Sequence, residues 1–250
     1  MFKLDKMNLF QSILFFGIPG VLIFAGTYWL VPLLTEMNLP LIVSWTAAVW
    51  GPIVLLVIFV LWNFYQQPER EKFATRFRFK KLSGKEWLWV IGAFLVVQIF
   101  ELMLSPSSAI LARYPLFQPP AIIPDLFNPA FKIEEGLVQL MGVPLKGNWW
   151  LIAYWFLWLI LNIGGEEFLW RGYALPLQEK VFGKYAWLVN GILWNVLVHL
   201  FFRWSFITLM PISLILPLLA QKFQNSWVGV LIHGTGNLLV LVIIIPGILG

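Results

Sequence analysis

The chain has no cysteine among its 250 residues, so it offers no disulfide and no thiolate site, and its redox compartment leaves no mark. Charge is scarce: Asp, Glu, Lys and Arg together make up 12%, against 60% hydrophobic residues and a mean hydropathy of +0.82. A soluble domain is roughly 45–50% apolar and about 25% charged, so a water-soluble globule is excluded. Strict period-two alternation is also missing, which argues against a membrane β-barrel. No internal repeat, low-complexity tract or His-Glu-x-x-His zinc motif is found. The net charge of +5 and pI near 9.5 could suggest nucleic acid. The basic residues concentrate in one connection, however, so they read as membrane topology and no nucleic-acid partner is expected.

What the sequence does hold is a series of apolar runs long enough to span a bilayer. They predict an all-α, polytopic transmembrane helical bundle of about seven spans, with six to eight as the range. The first covers Leu9 to Leu34, with Pro19 and Pro32 as kinks or ends. It is too long for a signal-peptide core and has no small-x-small cleavage site, so it reads as an anchor. The others run Leu41 to Tyr65, Trp87 to Leu104, Trp149 to about Trp170, Ala186 to about Trp204, a short proline-bent Ile207 to Ala220, and Trp227 to Leu249. An amphipathic stretch, Leu175 to Lys184, returns the chain between the fourth and fifth.

Between the second and third spans, Gln66 to Glu86 carries Arg70, Lys72, Arg76, Arg78, Lys80, Lys81 and Lys85 against Glu69, Glu71 and Glu86. Such a basic excess places this loop, and the N-terminus that carries Lys3, on the cytoplasmic side of what is expected to be the plasma membrane. The long connection from Ser105 to Asn148 is proline-rich and charge-balanced (Arg113, Lys132 and Lys146 against Asp125, Glu134 and Glu135), as expected outside. Tryptophans near span ends, such as Trp29, Trp62, Trp87, Trp89, Trp149, Trp150, Trp187 and Trp227, are read as interfacial belts. Residues 1–148 thus form an N-terminal set of helices and 149–250 a C-terminal core.

The core carries the chemistry. Gly164-Gly165-Glu166-Glu167-Phe168-Leu169-Trp170-Arg171 places three ionisable groups after an apolar run. Each costs roughly 2.5–3.5 kcal/mol at a bilayer centre, so each needs a partner, water or a role. Glu167 and Arg171 stand four apart, the spacing and order of a helical ion pair. Glu166 diverges from Glu167 by about 100° and is left free to act. The only two histidines, His199 and His233, lie on two further apolar segments, with Asn195 one turn before His199 and Asn237 one turn after His233. Gly234 and Gly236 leave room for a close helix or a substrate backbone. A carboxylate, two imidazoles and a carboxamide can activate a water and stabilise an oxyanion.

Glu166-Glu167-x-x-x-Arg171, a histidine on the next span, and His233-x-x-x-Asn237 together resemble the CAAX protease and bacteriocin-processing family of intramembrane endopeptidases, which includes the type II CAAX prenyl proteases. The resemblance covers about Trp149 to Val240. One position departs: Asn195 stands where the family usually has phenylalanine, which puts the packing around His199 in question. The resemblance implies hydrolysis of a peptide bond in a membrane-associated or lipidated protein, at a site opening toward the cytoplasm. Glu166 would be the general base, aided by His199; His233 and Asn237 would form the oxyanion hole; Glu167 and Arg171 would support them. The leading reading needs no cofactor, and zinc on Glu166, His199 and His233 is the alternative. Membrane lipids and the substrate are the partners expected.

Helix arithmetic resists this meeting. At 1.5 Å per residue, Glu166 lies roughly 25 Å below Trp149 and His199 roughly 20 Å above Ala186. The two would miss by about 15 Å unless the fourth helix starts in the outer headgroups and the fifth below the membrane. Glu101 and Arg203, near outer ends, read as snorkelling groups or a mutual pair. The rival functions are a scaffold or immunity protein that keeps the same pocket without turnover, and a proton-coupled transporter.

Overall fold

The computed structural model describes residues 5–68, 70–131 and 136–250. Lys3, Glu69, Lys132, Glu134 and Glu135, which enter the loop charges above, lie outside the described residues. The chain is an all-α membrane bundle: five described helical stretches are long and apolar enough to cross a bilayer. They are α1 (Leu9–Glu36), α2 (Leu41–Tyr65), a long stretch Trp150–Val196, and two more labelled in chain order below.

Side-chain caps fix two of the starts. Asn8 and Gln11 form a reciprocal capping box at α1, both bonds being 2.9 Å. Ser83 and Glu86 do the same at the third long helix. That helix, α4 (Gly84–Leu111), follows the one-turn α3 (Phe73–Arg76) of the basic loop. In α1 neither Pro19 nor Pro32 ends the rod; a π turn at Gly26–Leu30 absorbs the step ahead of Pro32. The connection after α4 includes a small hairpin, β1 (Gln139–Leu140) antiparallel to β2 (Val143–Pro144). Met141 and Gly142 turn it, both with positive φ, as a two-residue hairpin requires.

The stretch Trp150–Val196 differs most from expectation. The fourth helix does not stop near Trp170; α5 continues over 150–182 through π turns at Leu159–Gly164 and Phe168–Ala174. Gly183, with φ of 54°, then reverses the chain into α6 (Ala186–Val196). Asn190 of α6 donates to the Trp170 carbonyl and the Gln178 side chain, so the two rods pack antiparallel. The fifth rod also ends early: beyond Val196 the chain tightens into a 3-10 run, Val198–Ser205, interrupted at His199 and Phe202. Then come α7 (Met210–Phe223) and α8 (Trp227–Leu249).

The two ends of the bundle are built differently. At one end the basic loop is strapped down: Arg78 forks onto Glu179 at 2.6 and 2.8 Å, and Ser226 donates to the carbonyls of Phe77 and Arg78. At the other, Tyr28 and Arg203 donate to the Gln118 carbonyl, and Ser108 bonds Thr208. The two connections therefore occupy opposite ends, as their charges suggest. Glu101 and Arg203 do not pair: Glu101 accepts from Gln98, and Arg203 stacks on Tyr28.

Candidate active site

The hairpin at Gly183 answers the arithmetic. Glu166 lies 17 residues before that turn and His199 lies 16 after it, so the two rods carry them to one level. Glu166, His199, His233 and Asn237 all line a single cavity of about 140 Å³. Asn162 shares it, and apolar walls come from Trp45, Trp158 and Phe202.

Glu166 is almost wholly buried, and its carboxylate is oriented by uncharged donors. Asn162 Nδ2 donates to Oε1 at 3.2 Å; Trp194 Nε1 and Trp170 Nε1 donate to Oε2 at 2.7 and 3.3 Å. A carboxylate offers about four lone-pair positions, so one remains for a water in the cavity.

Glu167 faces elsewhere. Its Oε1 lies 3.2 Å from Arg171 Nη1 and 3.0 Å from His233 Nδ1, and both Glu167 and Arg171 have no exposed surface. The arginine contact is an ion pair more than a directed hydrogen bond, since no guanidinium nitrogen meets hydrogen-bond geometry. Arg171 instead sits over the Trp194 ring, its Cζ 4.0 Å from the centroid. Gly229 of α8 makes this enclosure possible, because a Cβ there would collide with Glu167 Oε2. The close-packing role expected of Gly234 and Gly236 thus falls to Gly229. Gly234 faces open space, and a Cβ at Gly236 would meet only the Gln98 side chain.

The imidazoles are set by what their Nδ1 atoms touch. His199 Nδ1 lies 3.1 Å from the Trp194 carbonyl, which can only accept, so Nδ1 carries the proton and a neutral ring keeps Nε2 as the acceptor. His233 Nδ1 is taken by Glu167 in the same way. Asn237 donates to the His233 carbonyl at 3.1 Å, which leaves its second amide N–H available. Asn195 is buried away from the cavity; it donates to the Phe206 carbonyl and closes the turn that presents His199. The position at which the motif series departs from the family it resembles thus packs on this turn.

Three residues outside the expected set belong here. Asn162 and Trp170 stand four before and four after Glu166, a spacing that could have marked them. Trp194 touches four of the six: it bonds Glu166, carries Arg171, and meets the rings of His199 and His233 edge-on at 4.8 and 5.3 Å. No local pattern marks it: Trp29, Trp62 and Trp149 are exposed, as belt residues would be, whereas Trp194 is buried.

Two implications of the resemblance bear on this geometry. Among the described residues the cavity wall includes Phe127 of the 105–148 connection and nothing from 66–86. For zinc, no group of three or more His, Cys, Asp or Glu among the described residues stands in metal-holding geometry, and both Glu166 oxygens are engaged by indole and amide donors.

No curated protein and no solved structure matches the chain. Residues 148–239, which hold Glu166, Glu167, Arg171, His199, His233 and Asn237, match the family described as Type II CAAX prenyl endopeptidase Rce1-like, the grouping that the motif series resembles.

Proposed function

We propose that the chain is an intramembrane endopeptidase that hydrolyses a peptide bond of a membrane-associated or lipidated protein with a glutamate-activated water. The observation that carries this is the convergence of Glu166, His199, His233 and Asn237 on one small cavity. A water on the open lone pair of Glu166 gives up a proton as its oxygen attacks the scissile carbonyl. His199 Nε2, an acceptor in the neutral ring, is the second base within the same walls and can pass that proton to the departing amine. The Asn237 amide, and His233 Nε2 when the ring holds both protons, donate to the tetrahedral oxyanion. Glu167 and Arg171 touch no reacting atom in this scheme; they fix His233 and the Trp194 platform. Residence in the plasma membrane with a cytoplasmic N-terminus belongs to the same proposal and follows from the basic loop.

The test is turnover. Purified chain incubated with a peptide library, and read by mass spectrometry, should yield products that Glu166→Ala and His233→Ala each lose while remaining folded. Wild-type-like cleavage by Glu166→Ala rejects the mechanism. A wild-type protein that binds peptides without cutting them favours the scaffold reading. Metal analysis of the same sample decides the zinc alternative.

A further inference from the structure

A second cavity, of about 320 Å³, lies at the basic-loop end, away from the candidate active site. Asp5, Glu71, Thr75, Arg76, Tyr173 and Lys180 are among the residues that line it. Arg76 is half-buried there, 5.1 Å over the Tyr173 ring, and among the described residues no ion pair or hydrogen bond engages its guanidinium. Withdrawal from water holds its pKa below the usual guanidinium value, yet it stays a cation near neutrality. The Thr75 hydroxyl and the Lys180 ammonium are two more donors on the same wall.

Beside this cavity runs an apolar groove of about 420 Å³ between α1 and α2, lined by Leu14, Phe15, Ile18, Pro52, Leu55 and Phe59. The two spaces adjoin. Phe59 of the groove precedes Val60 of the cavity wall, and Phe15 of the groove packs on Tyr173 of the cavity at 5.3 Å. A polar chamber with cationic donors thus neighbours a hydrocarbon-lined groove along two membrane helices.

We propose that the chamber and groove together bind one phospholipid of the surrounding membrane, with its phosphate on Arg76, its amine toward Glu71, and one acyl chain between α1 and α2. Charge selects the head. Arg78 on the same lining is engaged by Glu179, and the remaining cations, Arg76 and Lys180, share the lining with the carboxylates of Glu71 and Asp5, so a zwitterionic aminophospholipid fits better than an anionic one. A prenyl chain or a detergent tail could fill the groove, but neither has a phosphate for the guanidinium. The proposal does not depend on proteolysis, because its measurement is binding.

Native mass spectrometry of the full chain in detergent, with phosphatidylethanolamine, phosphatidylglycerol or inorganic phosphate added, tests it. Wild type should retain one phosphatidylethanolamine. Arg76→Gln should weaken that retention about tenfold, the usual consequence of losing a charge-assisted hydrogen bond. Leu14→Trp, which fills the groove, should weaken it without touching the head. Arg70→Gln removes the same charge from the same loop at a residue stacked on Tyr65, and should leave retention unchanged. Equal losses in Arg70→Gln and Arg76→Gln would overturn the proposal in favour of a diffuse basic surface. So would retention that neither Arg76→Gln nor Leu14→Trp alters, phosphatidylglycerol retained as well as phosphatidylethanolamine, or inorganic phosphate displacing the lipid.

Discussion

Glu166 and Glu167 share a peptide bond, yet their surroundings have almost nothing in common. Around Glu166 every donor is neutral (one amide and two indoles), and a cavity stands open beside it. Around Glu167 stand a guanidinium, an imidazole and the bare backbone of Gly229, and none of its side chain is exposed. Neutral donors orient a carboxylate without consuming its charge, whereas a buried cation consumes it. The first arrangement leaves a base that a substrate water can use, and the second builds a strut.

The largest effect expected from this contrast is on stability. Arg171→Ala removes one half of a fully buried pair and strands Glu167, at a cost of about 3–5 kcal/mol. Thermal unfolding in detergent should register it as a severe loss. Glu166→Gln, one residue from that pair, should leave the unfolding temperature near wild type and cut cleavage to a small residual rate. If Glu166→Gln destabilises as much as Arg171→Ala, the two carboxylates are not divided in this way.

Next in size is the indole that belongs to both environments. Trp194→Phe keeps a ring under Arg171 but deletes the 2.7 Å donor to Glu166. A hydrogen bond to a charged group contributes about 1.5–3 kcal/mol, so cleavage should fall on the order of ten- to a hundredfold. Repeated in the Glu166→Gln background, the same change should reduce the residual rate no further, because its effect acts through the carboxylate. Additive losses would make Trp194 a packing residue only.

Much of this contrast is legible in the sequence. The i,i+4 spacing of Glu167 and Arg171 survives as an ion pair, and Leu41–Tyr65 and Trp227–Leu249 appear with the bounds that hydropathy gives them. Contacts between segments remote in sequence are not legible. His233 reaching Glu167, Trp194 reaching Glu166, and Phe127 walling the cavity each depend on how rods dock, which no single-segment period encodes. The early end of α6 is hidden for a related reason. Hydropathy stays high through Phe202, while the turn is made by Asn195 holding the Phe206 carbonyl, a tertiary bond.

The smallest effects, and the sharpest discrimination, come from two glycines five residues apart on α8. Gly229→Ala drives a methyl into Glu167 Oε2, so either the carboxylate or the helix must move. Overpacking of this kind costs about 1–3 kcal/mol, and because Glu167 also grips His233, the shift should lower cleavage too. Gly234→Ala meets nothing within 4 Å. There the methyl should be neutral, or stabilise by about 0.5–1 kcal/mol through helix propensity. The pair also decides what the space at Gly234 is for. Unfolding unchanged with KM raised in Gly234→Ala would mean that a substrate backbone passes beside His233. Unfolding and turnover both unchanged would confine substrate to the opposite wall, under Trp158 and Phe202. A destabilised Gly234→Ala would mean that another helix lies closer to α8 than the Gly229 contact alone requires.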